Sequence, residues 1–432
     1  MLWADSHPVP PHLSKWKGRA RCAERTLLVG YVPQMTTRPL ALAGAFLALT
    51  LAACSTASSG QAISSPAASS GGSGPIRIGV EGPLSGDQSV TGVGMVNGAQ
   101  LAATDLNAKG GINGRQIEIV PIDDAADAAT GVTAATAAIA AGLDGVVGPY
   151  NSGVGIETLP LYLKAGLVPI RLTSNSSTNS MGYTLQPMDY QIAPVAAKGL
   201  TTWLGAKKVA ILYDTTQNYT TDLAESLKSE LEAAGVVVTA FTPIEPGQKS
   251  YDAQVKTAAA TSPDVIYAAT YFPEGGLIAK AMLNQKVTAK CVADFASADP
   301  GFITTAGNAA AMNCPVVGVP SPGEFPEGKA FVDAYTAAFG TAPGTWSPYT
   351  YDSVGILAAA AAATGGFDAT KLTAFLNEAK DWPGATGLVT LDPATGNRDP
   401  ATVVFLDVDE AGEFHVDEAW ATAAKPLWLF PS

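Results

Sequence analysis

Short apolar runs rich in β-branched residues alternate along the chain with longer segments in which apolar residues recur every three or four positions. The first pattern predicts buried strands and the second predicts amphipathic helices. The predicted strands are 76–80, 116–121, 145–147, 168–172, 208–213, 236–242, 265–269 and 290–293. Helices are predicted over 92–108, 126–141, 156–165, 221–234, 251–260 and 276–284.

Regular alternation of strand and helix predicts parallel sheets with helices on both faces. The alternation comes in two series, one over 76–172 and one over 208–293, and a chain of 432 residues is long enough for two domains. We therefore expect an α/β fold of two doubly wound parallel-sheet lobes. Ligands of such sheets bind outside the carboxyl ends of the strands.

The segment ahead of this alternation has the pattern of an export signal. A basic start precedes an apolar run over 40–51, which is too short to span a bilayer because a spanning helix takes about 20 residues. The Leu-Ala-Ala-Cys sequence at 51–54 resembles the lipobox of bacterial lipoproteins. We expect lipidation at Cys54, a signal peptide over 35–53 and an over-extended start over 1–34. An unusually long basic n-region is the alternative for 1–34.

Residues 54–75 are almost entirely Ser, Ala, Gly, Thr and Pro, which predicts a flexible tether between the lipid and the folded part. The protein is therefore expected outside the cytoplasm, anchored to the cell membrane by lipid.

The chain is acidic, with a net charge of −13 at pH 7. Nucleic-acid binding is excluded on this ground, because neutralising phosphates takes clustered Lys and Arg. Of the three histidines only His415 follows Cys54, in an alternating stretch that predicts an exposed strand position. One histidine leaves no histidine cluster for a metal and no paired catalytic histidine, unless His415 is itself a base. We expect no enzyme activity, no metal and no cofactor.

Two cysteines, Cys291 and Cys314, follow Cys54. A remaining pair in an exported protein is usually a disulfide, which for a loop of this size stabilises the fold by about 3 kcal/mol. Two buried free thiols are the alternative.

Several short segments resemble those of one protein family, in the same order along the chain. They are IRIGVEGPLSG at 76–86, NGAQLA at 97–102, GGINGR at 110–115, DD at 123–124, GVVGP at 145–149, GAKKVAILYD at 205–214 and ADP at 298–300. Together they resemble the type I periplasmic binding proteins, and most closely the leucine/isoleucine/valine-binding proteins of ABC importers. One such block is weak support, whereas several in register are strong.

The resemblance implies two α/β lobes, joined by three chain crossings, that close over a ligand in the cleft between them. The crossings would lie near 189–194, 318–322 and 383–388. The first lobe would then combine 76–190 with 320–384, and the second lobe would combine 191–318 with 386–432.

The resemblance also implies a carboxylate site on the first lobe. Ser152 lies between a predicted strand and a predicted helix, where a hydroxyl and free backbone N–H groups favour an anion. Ser174 and Ser176 follow the next strand and match the family segment that holds the same carboxylate. The alternatives are a plain N-cap for Ser152 and an ordinary polar turn for the other two.

On the second lobe, Tyr219 and Tyr271 match aromatic positions that would cover the apolar part of a ligand. Asp189 matches a carboxylate beside the hinge. Core packing is the alternative for both tyrosines.

Two positions depart from the family pattern. Phe295 stands where amino-acid binders carry an acidic residue for the ammonium group, with Asp294 one step before it. Val90 and Thr91 stand where an aromatic residue is expected near the opening loop. The expected ligand is therefore a small molecule with a carboxylate or amide end: an amino acid, an amide, a urea-like compound or an aromatic acid.

The function implied is that of a lipid-anchored, monomeric substrate-binding protein that delivers a small ligand to ABC permease subunits. A ligand-sensing module for a signalling partner is the alternative. An exported enzyme is disfavoured, because 323–330 lacks the Ser/Thr of a phosphate-binding loop and no Gly-x-Ser-x-Gly is present.

Overall fold

Two β-sheets with helices packed against them form the framework of the chain, and the computed structural model describes residues 74–424. The predicted start 1–34, the signal peptide 35–53, Cys54 and nearly all of the tether 54–75 lie outside the described residues. Among residues 74–424, no helix combines the length and the apolar character that crossing a membrane requires.

The first sheet has five parallel strands in the order β2-β1-β3-β4-β5. Its strands are β1 Ile76–Gly82, β2 Ile117–Asp123, β3 Gly145–Val147, β4 Pro169–Arg171 and β5 Tyr183–Thr184. Three helices connect the first four strands: α1 Ser89–Ala108, α2 Ala128–Ala140 and α3 Ser152–Lys164.

The second sheet has seven strands in the order β14-β13-β10-β9-β8-β6-β7. Its strands are β6 Lys208–Asp214, β7 Val237–Ile244, β8 Val265–Ala269, β9 Lys290–Ala293, β10 Val316–Gly318, β13 Val404–Val408 and β14 Phe414–Val416. The helices of this part are α4 Asp189–Lys198, α5 Asn218–Ala233, α6 Asp252–Ala260, α7 Phe272–Asn284, α8 Pro300–Ala306 and α9 Asn308–Ala311.

The remaining elements follow the second sheet's parallel strands in the chain. They are α10 Gly328–Phe339, α11 Ser347–Thr364, α12 Ala369–Asn377, α13 Glu418–Ala424 and a two-stranded antiparallel hairpin of β11 Trp382–Gly384 and β12 Gly387–Val389. Helix α11 returns to the first sheet's layer and packs on α1, where Tyr351 donates a hydrogen bond to Asp105 (2.8 Å). A side chain at Gly98 would collide with the Ser347 carbonyl, so the close approach of these helices requires a glycine there.

Several helix ends follow directly from the local sequence. The side chain of Asp127 accepts a hydrogen bond from the Thr130 amide (2.8 Å) and so caps α2. Helices α10 and α11 end at Gly340 and Gly365, whose left-handed φ values of 70° and 83° suit a residue without a Cβ.

The predicted α/β architecture is confirmed, and β3, β8 and β9 have the predicted bounds. The second sheet is not parallel throughout, because β13 runs antiparallel to β10, and β14 runs antiparallel to β13. His415 lies in β14, half exposed, as its alternating surroundings predict. Of the three predicted crossings, 189–194 lies within α4, 318–322 follows β10 and 383–388 spans the β11–β12 hairpin. Their role as hinges stays a prediction.

A disulfide joins Cys291 in β9 to Cys314, which is buried two residues before β10. The bond therefore ties together two neighbouring strands of the second sheet, whose residues Val316 and Ala293 are paired.

Candidate ligand-binding site

A small inner cavity lies where the carboxyl ends of strands from both sheets meet. The first sheet's part contributes one set of lining residues, which we call the first wall: Tyr150, Ser152, Leu172, Ser174 and Gln186. The second sheet's part contributes the second wall: Tyr219, Tyr271, Phe295 and Ala296. The cavity has a volume of about 10 Å³, which is room for about one water molecule.

The first wall is built by the segments that follow β3 and β4. Ser152 is the first residue of α3, where the leading N–H groups have no partner within the helix. The Ser152 hydroxyl oxygen accepts a hydrogen bond from the Asn175 amide (3.2 Å), so it keeps its own O–H to donate. These groups are suited to a carboxylate or a carbonyl oxygen.

Gln186 and Ser174 form a buried polar pair beside this helix start. The Ser174 hydroxyl donates to the Pro187 carbonyl (2.7 Å), and the Gln186 side-chain amide donates to the Ser174 oxygen (2.8 Å) and to the Leu172 carbonyl. The Gln186 side-chain oxygen is buried and accepts no hydrogen bond from any described residue. The first wall therefore offers an unused acceptor as well as donors.

Ser176 and Asp189 do not line the inner cavity. The Asp189 carboxylate accepts hydrogen bonds from the Ser176 amide (2.8 Å) and from the Ser176 hydroxyl. The two donors that the resemblance assigns to a substrate carboxylate are thus bound to a carboxylate of the chain itself. Their role in ligand binding stays a prediction, as does that of the four predicted residues that do line the cavity: Ser152, Ser174, Tyr219 and Tyr271.

The second wall is aromatic and rests on a buried carboxyl group. Tyr271 follows β8, with its ring centroid 5.9 Å from that of Tyr150 and 6.3 Å from that of Tyr219. Asp294, which is fully buried, accepts hydrogen bonds from the hydroxyls of Tyr267 (2.7 Å) and Tyr219 (3.2 Å). Burial raises the pKa of Asp294 to about 7 against these hydrogen bonds, which lower it.

Trp346 joins the two walls from behind. Its ring lies 5.6 Å from the Tyr150 ring and 5.2 Å from the Phe295 ring, centroid to centroid. Sequence reasoning missed Trp346, Gln186 and Tyr150. Tyr150 follows a predicted strand end and so carried a local signal, whereas Trp346 comes to lie behind the cavity through the packing of α11 on the distant α1.

A second, larger cavity of about 280 Å³ lies between loops of both parts and is acidic. Burial raises the pKa of Asp214 and of Glu274, which line it together with Asp87, Gln88 and Gln217. Gln88 connects the two cavities, because its side-chain oxygen accepts from Asn151 (3.0 Å), the neighbour of Ser152.

Hydrogen bonds also link the two parts across the cleft. The Thr91 hydroxyl donates to Asp299 (2.7 Å), and the Asn175 side-chain amide donates to Asp222 (2.8 Å). Such bonds hold the two parts together across the cleft.

One surface group offers metal ligands among the described residues. Ligand atoms of Asp409, Glu413 and His415 all lie within 4.8 Å of one another. The Asp409 carboxylate already contacts the His415 ring (3.2 Å) and accepts from the Glu413 amide (2.9 Å). Exposed acidic groups that satisfy one another in this way are common without an ion, and we assign no metal to them.

Comparisons with known proteins agree with this geometry. A sequence model of the family described as "Periplasmic binding protein" matches residues 75–413. An "Amino acid binding protein" of Pseudomonas aeruginosa is 30% identical over 348 residues, which cover 79% of this chain and 92% of that protein. A "Leu/Ile/Val-binding protein homolog 2" of Brucella abortus is 29% identical over 322 residues, covering 73% of this chain and 86% of that protein.

Among solved structures, the branched-chain amino acid transporter substrate-binding protein LivJ of Streptococcus pneumoniae, in complex with isoleucine, is similar with a TM-score of 0.73. It is 25% identical, and the match covers 79% of this chain and 99% of that one. The two-sheet fold, the cleft between the sheets and these matches lead to one conclusion. The chain belongs to the type I periplasmic binding proteins, in the branched-chain amino acid family.

Proposed function

We propose that this protein is the extracytoplasmic substrate-binding component of an ABC importer. It binds a small amino-acid-like ligand, either a branched-chain amino acid or a related carboxylate or amide, between the first wall and the second wall. The walls must part to admit it, because the inner cavity between them holds no more than about one water molecule. The observation that carries the proposal is the cavity itself, which takes hydrogen-bonding groups from one sheet's part and aromatic rings from the other's. A ligand that contacts both walls prefers the closed cleft by the difference between its contacts in the two states.

Family membership supports the transport role, and the names of the relatives support the ligand class. The Brucella abortus relative is named for binding Leu, Ile and Val, and the Streptococcus pneumoniae structure holds isoleucine. Binding and release require no bond to be made or broken, in keeping with the scarcity of histidine after Cys54.

To identify the ligand, the protein is purified from its natural host and the small molecules that co-purify with it are analysed by mass spectrometry. The ligand-stripped protein is then titrated calorimetrically with that compound and with amino acids, amides and small organic acids. We expect saturable binding of one class at one site per chain. Absence of binding throughout, with a folded protein, would contradict the proposed function.

We further propose that lipid at Cys54 keeps the protein beside its permease. The support is the Leu-Ala-Ala-Cys sequence and the tether over 54–75, both from the sequence. Replacing Cys54→Ala should move the protein from the membrane fraction to the medium, because the acidic surface offers no attraction to anionic lipid. Ligand affinity measured on the released protein should be unchanged. If the variant stays with the membrane as fully as the unaltered protein, lipid at Cys54 is not the anchor.

A further inference from the structure

The inner cavity has no charged lining residue. Its nine lining residues are tyrosines, serines, one glutamine, one leucine, one phenylalanine and one alanine. An α-amino acid brings both a carboxylate and an ammonium into such a cavity. A carboxylate can be held by neutral donors, and the first wall has them at the start of α3. An ammonium group taken out of water needs a carboxylate or several acceptors close to it.

Asp294 is the acidic residue nearest to the second wall in sequence, and it is not available to a ligand. It is fully buried, does not line the cavity, and receives one tyrosine hydroxyl on each carboxyl oxygen. Because burial raises its pKa to about 7, its charge is also weakened near neutral pH. The carboxyl group holds Tyr219 and Tyr267 in place and leaves no oxygen facing the cavity.

Phe295 occupies the lining position directly after Asp294. Its ring is buried and packs on Trp346, so Phe295 presents only apolar surface to the cavity. An ammonium group placed here would lose its hydration without gaining a counter-ion. Among the fully buried side-chain atoms of the nine lining residues, the Gln186 oxygen is the one without a hydrogen-bond partner, and it belongs to the opposite wall.

The unpaired Gln186 oxygen can accept a hydrogen bond when the ligand is a carboxamide. A carboxamide oxygen at the start of α3 leaves the amide nitrogen free, and its N–H can donate to the Gln186 oxygen. An ionised carboxylate has no proton for Gln186 and depends on the donors at the start of α3 alone. The rest of the ligand then needs only apolar contact, which Tyr271, Phe295 and Leu172 supply.

We infer that the inner cavity selects carboxylic acids and carboxamides that lack an α-ammonium group, with Phe295 as the residue that determines this specificity. The inference rests on the proposed function, since it narrows the ligand class of the same site. It separates this protein from the amino-acid binders to which it is similar.

The test uses ligand sets that differ only in the group at issue. Each set contains an α-amino acid, the same acid without its amino group, and the amide of that acid. Four sets cover increasing size: glycine with acetate and acetamide, alanine with propionate and propanamide, leucine with 4-methylpentanoate and 4-methylpentanamide, and phenylalanine with 3-phenylpropanoate and its amide. Affinities are measured calorimetrically on the ligand-stripped protein.

We expect the best-fitting set to show the acid or its amide binding about a hundredfold more tightly than the amino acid, the cost of an unpaired ammonium. If the amino acid binds more tightly in every set that binds at all, the inference fails while the proposed function stands. If no member of any set binds a folded protein, the inference and the proposed function both fail.

A pair of variants tests the role of Phe295 separately. Phe295→Glu should shift the ratio of affinities toward the amino acid by at least tenfold, whereas Phe295→Leu, which keeps the wall apolar, should keep the preference for the acid or amide. Circular dichroism confirms folding of both. An unchanged ratio in folded Phe295→Glu would show that another residue sets the specificity. If Phe295→Glu does not fold, the ligand sets on the unaltered protein still decide the inference.

Discussion

The two walls of the inner cavity differ in the chemical groups that they present to it. The first wall presents hydroxyl, amide and helix-start groups that face the cavity directly, as Ser152 and Gln186 do. The second wall presents aromatic surface and keeps its polar groups behind that surface, where Asp294 binds two tyrosine hydroxyls. The proposed function therefore assigns the polar end of a ligand to the first wall and its apolar part to the second wall. The two tasks can therefore be perturbed separately.

The largest expected effect is on the free energy of unfolding, and it comes from Asp294, the buried acid behind the second wall. The pKa of Asp294 is raised to about 7 in the folded protein, whereas an unfolded aspartate titrates near 3.9. The folded state thus holds this proton more tightly, so the contribution to stability is complete below about pH 4 and is lost as pH rises to about 7. The loss amounts to up to about 4 kcal/mol.

Urea unfolding between pH 4 and pH 8 checks this expectation. Asp294→Asn should show a clearly smaller fall in unfolding free energy across that range than the unaltered protein. Some fall should persist in the variant, because burial also raises the pKa values of Glu81 in β1 and of Asp124 directly after β2. Equal slopes for both proteins would mean that Asp294 is not the titrating group.

The next effect concerns the disulfide that supports the second wall. Cys291 lies three residues before Asp294 and is joined to Cys314 across a separation of 23 residues. Replacing both cysteines by alanine should lower the unfolding free energy by about 3 kcal/mol, since a loop of this size no longer constrains the unfolded chain. Chemical denaturation measures it, and reduction of the unaltered protein should give a similar loss. The first wall has no such bond among the described residues, so carboxylate recognition in the folded variant should be retained.

The smallest of the three expected effects is a loss of ligand affinity when serines of the first wall are replaced, and it does not involve stability. Replacing Ser152 and Ser174 together by alanine should weaken ligand binding about a hundredfold, or about 2.7 kcal/mol. The free Ser152 hydroxyl no longer donates to the polar end, and Gln186 loses the Ser174 oxygen to which its side chain is bound. Tyr271→Phe on the second wall should change affinity by less than about threefold, because the ring and its contact area remain. Ser229→Ala, exposed on α5, is the matched control. Affinity is measured by calorimetry, and a larger effect at Tyr271 than at the serines would reverse the assignment of the walls.

Local sequence patterns were sufficient for the elements that alternate regularly. Strands such as β3 and β8 are apolar throughout and buried, and their ends are marked by polar or glycine residues. The antiparallel strands β13 and β14 lie outside the alternation and join the sheet through β10, which is a contact between distant segments. Nothing in their own residues indicates that pairing.

The site shows the same limit. Ser152 and Ser174 are found at the predicted strand ends, because the carboxyl ends of parallel strands necessarily meet at one edge. The pairing of Ser176 with Asp189 depends on the loop that brings residues 13 positions apart together, and no periodicity encodes it. Trp346 contacts Tyr150 and Phe295, two lining residues, only because α11 crosses onto α1.

The position of Trp346 between the two walls makes its fluorescence useful. Its indole is almost completely buried, contacts an aromatic ring of each wall, and is carried by the helix that packs on the first sheet's layer. If the walls separate, the indole loses Phe295 and meets water, and the emission of a tryptophan moves to longer wavelength when water reaches it. The chain has seven tryptophans, and the part of the emission that Trp346→Phe removes would report cleft opening and follow ligand capture in real time without an attached dye.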